Sequence, residues 1–360
     1  MKNHKTLRTV VNVILMLAFS VGVGYFFLYQ HLDEVRTIIA QADYGWVAAA
    51  LALTVGYYFF GGMVLTVLTR RIRPDYSWRQ GYECMQISAL FHNITPSSSG
   101  GQFAQFYIFK KQGVGYQDAG LILFIELLSY KTVMVAFCLV MMVFNINYLA
   151  ANEPRYIWLA VAGFVCSGLV IGAMLVTLMV PAVYNWVFKT GVAIGYRFHM
   201  IKDPQAARDS LQQMLVRFKA ALRQLKGEHA LLGRLIMLNV TRDLCYFSGP
   251  LACMAALHVA VPYGDYVLVI AMTSMVVNIA MYFPAPGASG GMEGLFVIMF
   301  STIMSSGEAT SVMMFWRLTS FYFATLAGLM LFIYYRFFYK PIPVAKGGGI
   351  SAKGEPDQDQ

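Results

Sequence analysis

Pro96-Ser97-Ser98-Ser99-Gly100-Gly101 stands inside a strongly apolar stretch, and Pro286-Gly287-Ala288-Ser289-Gly290-Gly291 repeats its pattern 190 residues further on, again in apolar surroundings. Proline removes a backbone donor and glycine disfavours helix, so each copy marks a place where a membrane-buried helix stops and restarts. Broken backbone at membrane depth survives only where protein or a water-filled cavity satisfies the freed N–H and C=O groups. Two breaks in corresponding positions point to a duplicated transport site near the bilayer midplane.

The rest of the chain fits that reading. Of 360 residues, 58% are hydrophobic and 12% charged, against about 25% charged in a soluble domain. This composition predicts an all-α polytopic membrane protein. The five cysteines (Cys84, Cys138, Cys166, Cys245 and Cys253) lie in apolar segments without a CxxC pair, so neither a disulfide scaffold nor a metal site is expected. A basic start (Lys2, Lys5, Arg8) precedes the apolar run 10–29. That run is about twice the length of a signal-peptide core and lacks a good cleavage site, so it reads as a retained first span.

Runs of about 20 apolar residues, enough to cross a bilayer, occur at 10–29, 45–69, 119–144, 156–180, 231–260 and 309–335. Two more apolar regions, about 84–109 and 267–304, contain the repeated motif. The arms of the first have about 12 residues, roughly 18 Å of helix, too short for a 30 Å core. The expectation is six full spans plus two re-entrant helical hairpins in an inverted repeat. Loop charge supports it. With both termini inside, every one of the 27 Lys and Arg falls on the cytoplasmic side except Arg36, Arg155 and the intramembrane Lys131, Arg242 and Arg317, as the positive-inside rule requires. The first hairpin, flanked by Arg70–Arg79 and Lys110–Lys111, then dips in from the cytoplasm. The second, flanked by Asp265 and Glu308, dips in from outside. The integral domain is expected over 1–340, with a disordered cytoplasmic tail over 341–360.

Six ionisable residues sit in spans or hairpins: Glu126, Lys131, Arg242, Asp243, Glu293 and Arg317. Each must face a partner or a wet cavity. One reading is internal ion pairing that sets helix register. The other is that Arg242 and Arg317 bind a phosphate through their guanidinium forks, with Glu126 and Glu293 taking a proton or a cationic group, or holding the arginines. Lys131 lies five positions after Glu126, so the two share a helical face poorly. The first hairpin is rich in polar residues, Gln86, His92, Asn93, Gln102 and Gln105 among them, which apolar lipid would not tolerate. After Ser99-Gly100-Gly101 and after Ser289-Gly290-Gly291, restarted helices point N–H groups at an anion.

The segment 203–227 carries an apolar stripe (Leu211, Met214, Leu215, Phe218, Leu222, Leu225) beside several basic residues. It is expected as a cytoplasmic amphipathic helix, lying either on anionic headgroups or on the ends of the spans. No Walker motif, HExxH, GxSxG or His/Cys cluster with metal spacing is present. No cofactor, metal or nucleic-acid partner is expected.

The stretches from His92-Asn93-Ile94-Thr95-Pro96 to Gly113 and from Phe283-Pro284-Ala285-Pro286 to Glu293-Gly294 resemble the two motif regions of the lysylphosphatidylglycerol synthase transmembrane family. This is the flippase-like membrane domain of the multiple peptide resistance factor and its stand-alone relatives. The resemblance spans about 10–335. It carries over Pro96, Gly100, Gly101, Pro286, Gly290 and Glu293, whereas Gln105 stands where family members often have arginine. In the full-length factor a soluble domain charges phosphatidylglycerol with lysine and the membrane domain moves the product outward. These 360 residues show no such soluble domain, so the resemblance implies translocation rather than synthesis, in a bacterial inner membrane.

The expected function is therefore that of a lipid translocase. Its cargo would be a phospholipid, aminoacylated phosphatidylglycerol or a polyprenyl-linked glycan, and the link to antimicrobial peptide resistance comes with the family. The alternatives are a lipid-modifying transferase of the phosphatidylglycerol lysyltransferase type and a proton-coupled secondary transporter. The candidate site comprises Pro96, Ser99, Gly100, Gly101, Gln105, Glu126, Arg242, Asp243, Pro286, Gly290, Glu293 and Arg317, with no catalytic residue assigned. Whether the protein works as a homodimer is left open.

Overall fold

A computed structural model describes residues 40, 42–95, 100–152, 154–180, 183, 186, 190, 227–261 and 266–343. The expected first span 10–29 and amphipathic helix 203–227 (Gly227 apart) lie outside them, as does the tail beyond 343. Within the described residues the chain is helical and holds no β-strand.

Helix α1 (Tyr44–Thr69) starts where Asp43 accepts the Gly45 N–H at 2.8 Å, and runs 26 residues, about 39 Å. After a tight loop, Ser77 and Gln80 form a reciprocal capping box that opens α2 (Trp78–Ile94). The first break separates α2 from α3 (Gly100–Lys111). Gly113, at φ +79°, ends α3, and the Val114 N–H reaches back to Phe109 O at 2.9 Å, the left-handed closure that glycine favours. Then follow α4 (Tyr116–Phe144), the short α5 (Ile146–Asn152) and α6 (Pro154–Met179).

The second half repeats this order. Helices α7 (His229–Phe247) and α8 (Gly249–Ala256) precede α9 (Tyr266–Ala280), the second break and α10 (Gly291–Phe300). A long helix closes it, made of α11 (Ser306–Arg317), a π turn (Leu318–Tyr322) and α12 (Phe323–Phe337). Adding 190 to the bounds of α1, α2, α3 and α4 lands within a few residues of α7–α8, α9, α10 and α11–α12. Packing repeats too. Helix α2 lies against α3 and against α12 of the other unit, while α9 lies against α10 and against α4 of the first. Helices α1 and α7 pack on each other between the units.

Among the described residues, four helices are long and apolar enough to cross a membrane: Tyr44–Thr69, Tyr116–Phe144, Pro154–Thr177 and Ser306–Phe337. The segment expected to cross over 231–260 differs. It is two helices joined at Ser248, because Pro250 near the start of α8 cannot continue the ladder. The Gly249 position sits so close to Trp316 that a Cβ there would come within 2.5 Å of its indole nitrogen. The first arm of the first hairpin is also longer than expected, with 17 residues beginning at Trp78. Glu83 is buried in this arm, where Tyr335 donates to its carboxylate at 2.6 Å. The arms of the second break have 15 and 10 residues, about 22 and 15 Å, each short of a 30 Å core. Residues 341–343, placed with the tail, are not helical, and the Ile342 N–H donates to Lys111 O at 2.9 Å.

Candidate functional site

The two breaks face one cavity of about 380 Å³. The first supplies His92 and Asn93 from the end of α2, and Gln102 and Gln105 from α3. The second supplies Gly287, Ala288 and Met292. Between them stand Glu126, Tyr130 and Lys131 of α4, Tyr57 and Tyr58 of α1, Arg242 and Tyr246 of α7, and Arg317, Ser320 and Phe321 of the long closing helix. The π turn is where the breaks meet. Asn93 Nδ2 donates to Phe321 O at 3.2 Å and to Thr325 Oγ1 at 2.7 Å. From the other side, Gly287 packs on the Phe321 ring so closely that a Cβ would come within 2.2 Å. Single π turns inside α-helices occur often at functional sites.

Two ion pairs organise the charge. Arg242 Nη1 donates to Glu126 Oε1 at 2.9 Å, with both side chains buried. The Arg242 guanidinium lies between the rings of Tyr57 and Tyr130, 4.7 and 4.0 Å from their centroids, a cation–π clamp strengthened by desolvation. Arg317 Nε donates to Glu293 Oε1 at 2.7 Å, and its Nη2 donates to Gly287 O at 3.0 Å and Ser289 Oγ at 3.3 Å. It also lies over the Phe321 ring. Glu293 in turn accepts the Gly290 N–H at 2.6 Å, so the second break is fastened to the long helix through one guanidinium. Lys131 differs from both arginines. Its Nζ points to the Met281 thioether at 2.7 Å and lies 5.6 Å from the Tyr282 ring centroid, and among the described residues no carboxylate pairs with it.

Of the expected site residues, Gln105, Glu126, Arg242 and Arg317 line the cavity. Pro96 and Ser99 lie outside the described residues. Gly100 and Gly101 serve the packing of the first break: the Gly100 N–H donates to Thr95 Oγ1 at 2.8 Å, and a Cβ on Gly101 would strike the His92 ring. Pro286, Gly290 and Glu293 shape the second break without lining the cavity. Asp243 does not line it either. It is fully buried, and neither carboxylate oxygen has a hydrogen-bond partner among the described residues. Lys131 was visible as an intramembrane charge, but nothing in its spacing placed it at the site. The tyrosine clamp carried no sequence signal, because Tyr57 and Tyr130 are two among 22 tyrosines.

A second polar cluster joins α2, α3 and α12 at one end of the bundle. Tyr335 donates to Glu83, Gln112 Nε2 donates to the Tyr335 hydroxyl at 2.8 Å, and Tyr76 donates to Gln112 Oε1 at 2.7 Å. Arg79 caps Glu83 from outside at 3.0 Å. Its members satisfy one another, so it acts as a fastening.

The fold and the cavity define an α-helical membrane protein in which two helix breaks enclose a charged interior site. The chain belongs to the lysylphosphatidylglycerol synthase TM region family, whose model matches residues 13–328. The membrane location and a lipid-related function follow from that membership. No curated protein and no solved structure matches the chain.

Proposed function

We propose that this protein is a lipid translocase of the bacterial cytoplasmic membrane, with both termini on the cytoplasmic side. It would carry the headgroup of a phospholipid or of aminoacylated phosphatidylglycerol between leaflets while the acyl chains stay in lipid. The observation that carries this reading is the cavity between the two breaks, whose charge does not cancel. Among the described residues, Glu126 offsets Arg242 and Glu293 offsets Arg317, which leaves Lys131 as an excess cation facing the space. A lipid phosphate matches it. An uncompensated intramembrane charge is costly unless a substrate or water meets it.

The repeated order of elements supports an inverted arrangement. Among the described residues, three helices long enough to cross, α1, α4 and α6, separate the start of the first unit from the start of the second. With the basic segment 189–226 kept on one side, that odd number turns the second unit over. The short arms then become re-entrant hairpins entering from opposite faces, as in carriers built on inverted repeats. A transferase reading needs a base free to act at the site. Among the described residues that line the cavity, the one carboxylate, Glu126, is engaged by Arg242.

The test is headgroup flip of labelled anionic and aminoacylated lipids in liposomes holding the purified chain. Lys131→Gln is expected to slow flip about tenfold or more, since a hydrogen bond to a charged group is worth roughly 1.5–3 kcal/mol. Flip no faster than in protein-free liposomes for both lipids overturns the proposal. Product formed from aminoacyl-tRNA would favour the transferase instead.

A further inference from the structure

The interior face of α7 carries a cluster of unmet acceptors. Asp243 is fully buried, and both of its carboxylate oxygens lack a partner among the described residues. Asn239, one turn earlier, is buried as well. Its Nδ2 is used by Leu235 O at 3.0 Å, while its Oδ1 meets no donor. Residues four apart share a helix face, so the two side chains are neighbours. Three acceptor oxygens therefore gather where hydrocarbon or packed protein surrounds them. Arg242, next in sequence, spends its Nη1 on Glu126 and its Nη2 on Tyr57, while its Nε, like Asn278 Nδ2 on α9, is buried and meets no acceptor among the described residues.

An ionised carboxylate without a donor does not persist in such a place. A proton resolves the cluster: it neutralises Asp243 and supplies the one donor that Asn239 Oδ1 lacks. A bound sodium ion fits worse, because a metal ion of that kind needs more oxygen ligands than the three found here. The titratable groups whose charge acts on Asp243 include Tyr130 and Cys138 of α4 and Arg242 of α7 itself; α4 also carries Glu126 and Lys131, and α1 carries Tyr57 and Tyr58. From α9 come Ser274 and Asn278, which do not titrate.

We propose that Asp243 is a proton-binding site that couples a proton gradient to headgroup movement; the coupling, though not the site, rests on the carrier reading. Binding forms one O–H bond with a proton taken from water, release breaks it, and nothing is oxidised or reduced. Release leaves a second carboxylate beside Arg242, which then competes with Glu126 for the guanidinium. The charge state of Asp243 is thereby passed to the cavity.

Two measurements on the full chain test this. Infrared spectroscopy at neutral pH is expected to show a protonated-carboxyl band that Asp243→Asn removes and Asn239→Ala shifts. No such band in the wild type, or a band untouched by both substitutions, overturns the site. In liposomes, an imposed pH gradient is expected to change the wild-type flip rate several-fold and to leave the rate of Asp243→Asn unchanged. A response that follows sodium instead of pH, or one that Asp243→Asn retains, overturns the coupling. If the wild type moves no lipid, the carrier reading and the coupling fall together, and the infrared band alone decides the site.

Discussion

Arg242 is held from three directions, by the Glu126 carboxylate and by the faces of two tyrosines. Its partner lies 116 positions away, so this contact exists only when α4 and α7 are packed. Removing one member of a buried pair leaves the other charge without compensation, at a cost of about 3–5 kcal/mol. Arg242→Ala is therefore expected to lower the unfolding midpoint sharply in detergent. Replacing both members, with Glu126→Gln and Arg242→Gln together, is expected to cost less than the sum of the single changes. Simple additivity of the two in an unfolding cycle would show that the pair is not coupled. The residue types at this site were legible as charges in apolar runs. Their pairing was not, since equal numbers of acids and bases allow several matchings and only distance selects one.

At the scale of elements, the second break depends on backbone that few residues adopt. Gly287, Ala288 and Gly290 have φ of +58°, +55° and +82°. The two glycines differ in their surroundings: a Cβ on Gly287 would run into Phe321, whereas Gly290 has open space around it. Gly290, at φ +82° and ψ −50°, lies outside the left-handed helical well in a region that strains any side chain, so Gly290→Ala is expected to cost about 1–3 kcal/mol from backbone strain alone. Gly287→Ala is expected to cost clearly more, and Phe321→Ala in the same chain to recover part of the loss. Equal effects of the two substitutions on thermal unfolding would contradict this. The breaks themselves were plain from Pro and Gly. The π turn that brings them together was not, because Leu318–Tyr322 contains no residue that forces it. Nor was the kink at Ser248 and Pro250, which is hidden inside a run apolar enough to be read as one span.

Across the whole molecule, the contact pattern of the first unit recurs in the second. Each broken helix leans on the long helix of the opposite unit, α2 on α12 and α9 on α4. Exchange of that kind makes the two units one body around a shared interior, and the cavity lies along their seam. The inverted arrangement we propose has a direct consequence for access. With the native cysteines replaced, Lys110→Cys and Gly307→Cys, both at exposed positions, are expected to react with a membrane-impermeant thiol reagent from opposite sides. Lys110→Cys should react only in inside-out vesicles and Gly307→Cys only in right-side-out ones. Labelling of both from one side would show a parallel repeat.

Composition and helix-breaking residues suffice to define a multi-pass helical protein with two interrupted segments, because burial in lipid and backbone satisfaction are local demands that any stretch of chain must meet. What surrounds the cavity is another matter. The choice of Glu126 for Arg242, the exclusion of Asp243 from the cavity and the exposure of Lys131 to it arise only when α1, α4, α7 and the long closing helix are brought together. Those contacts join residues far apart in the chain, and their energies depend on distances that no local pattern records.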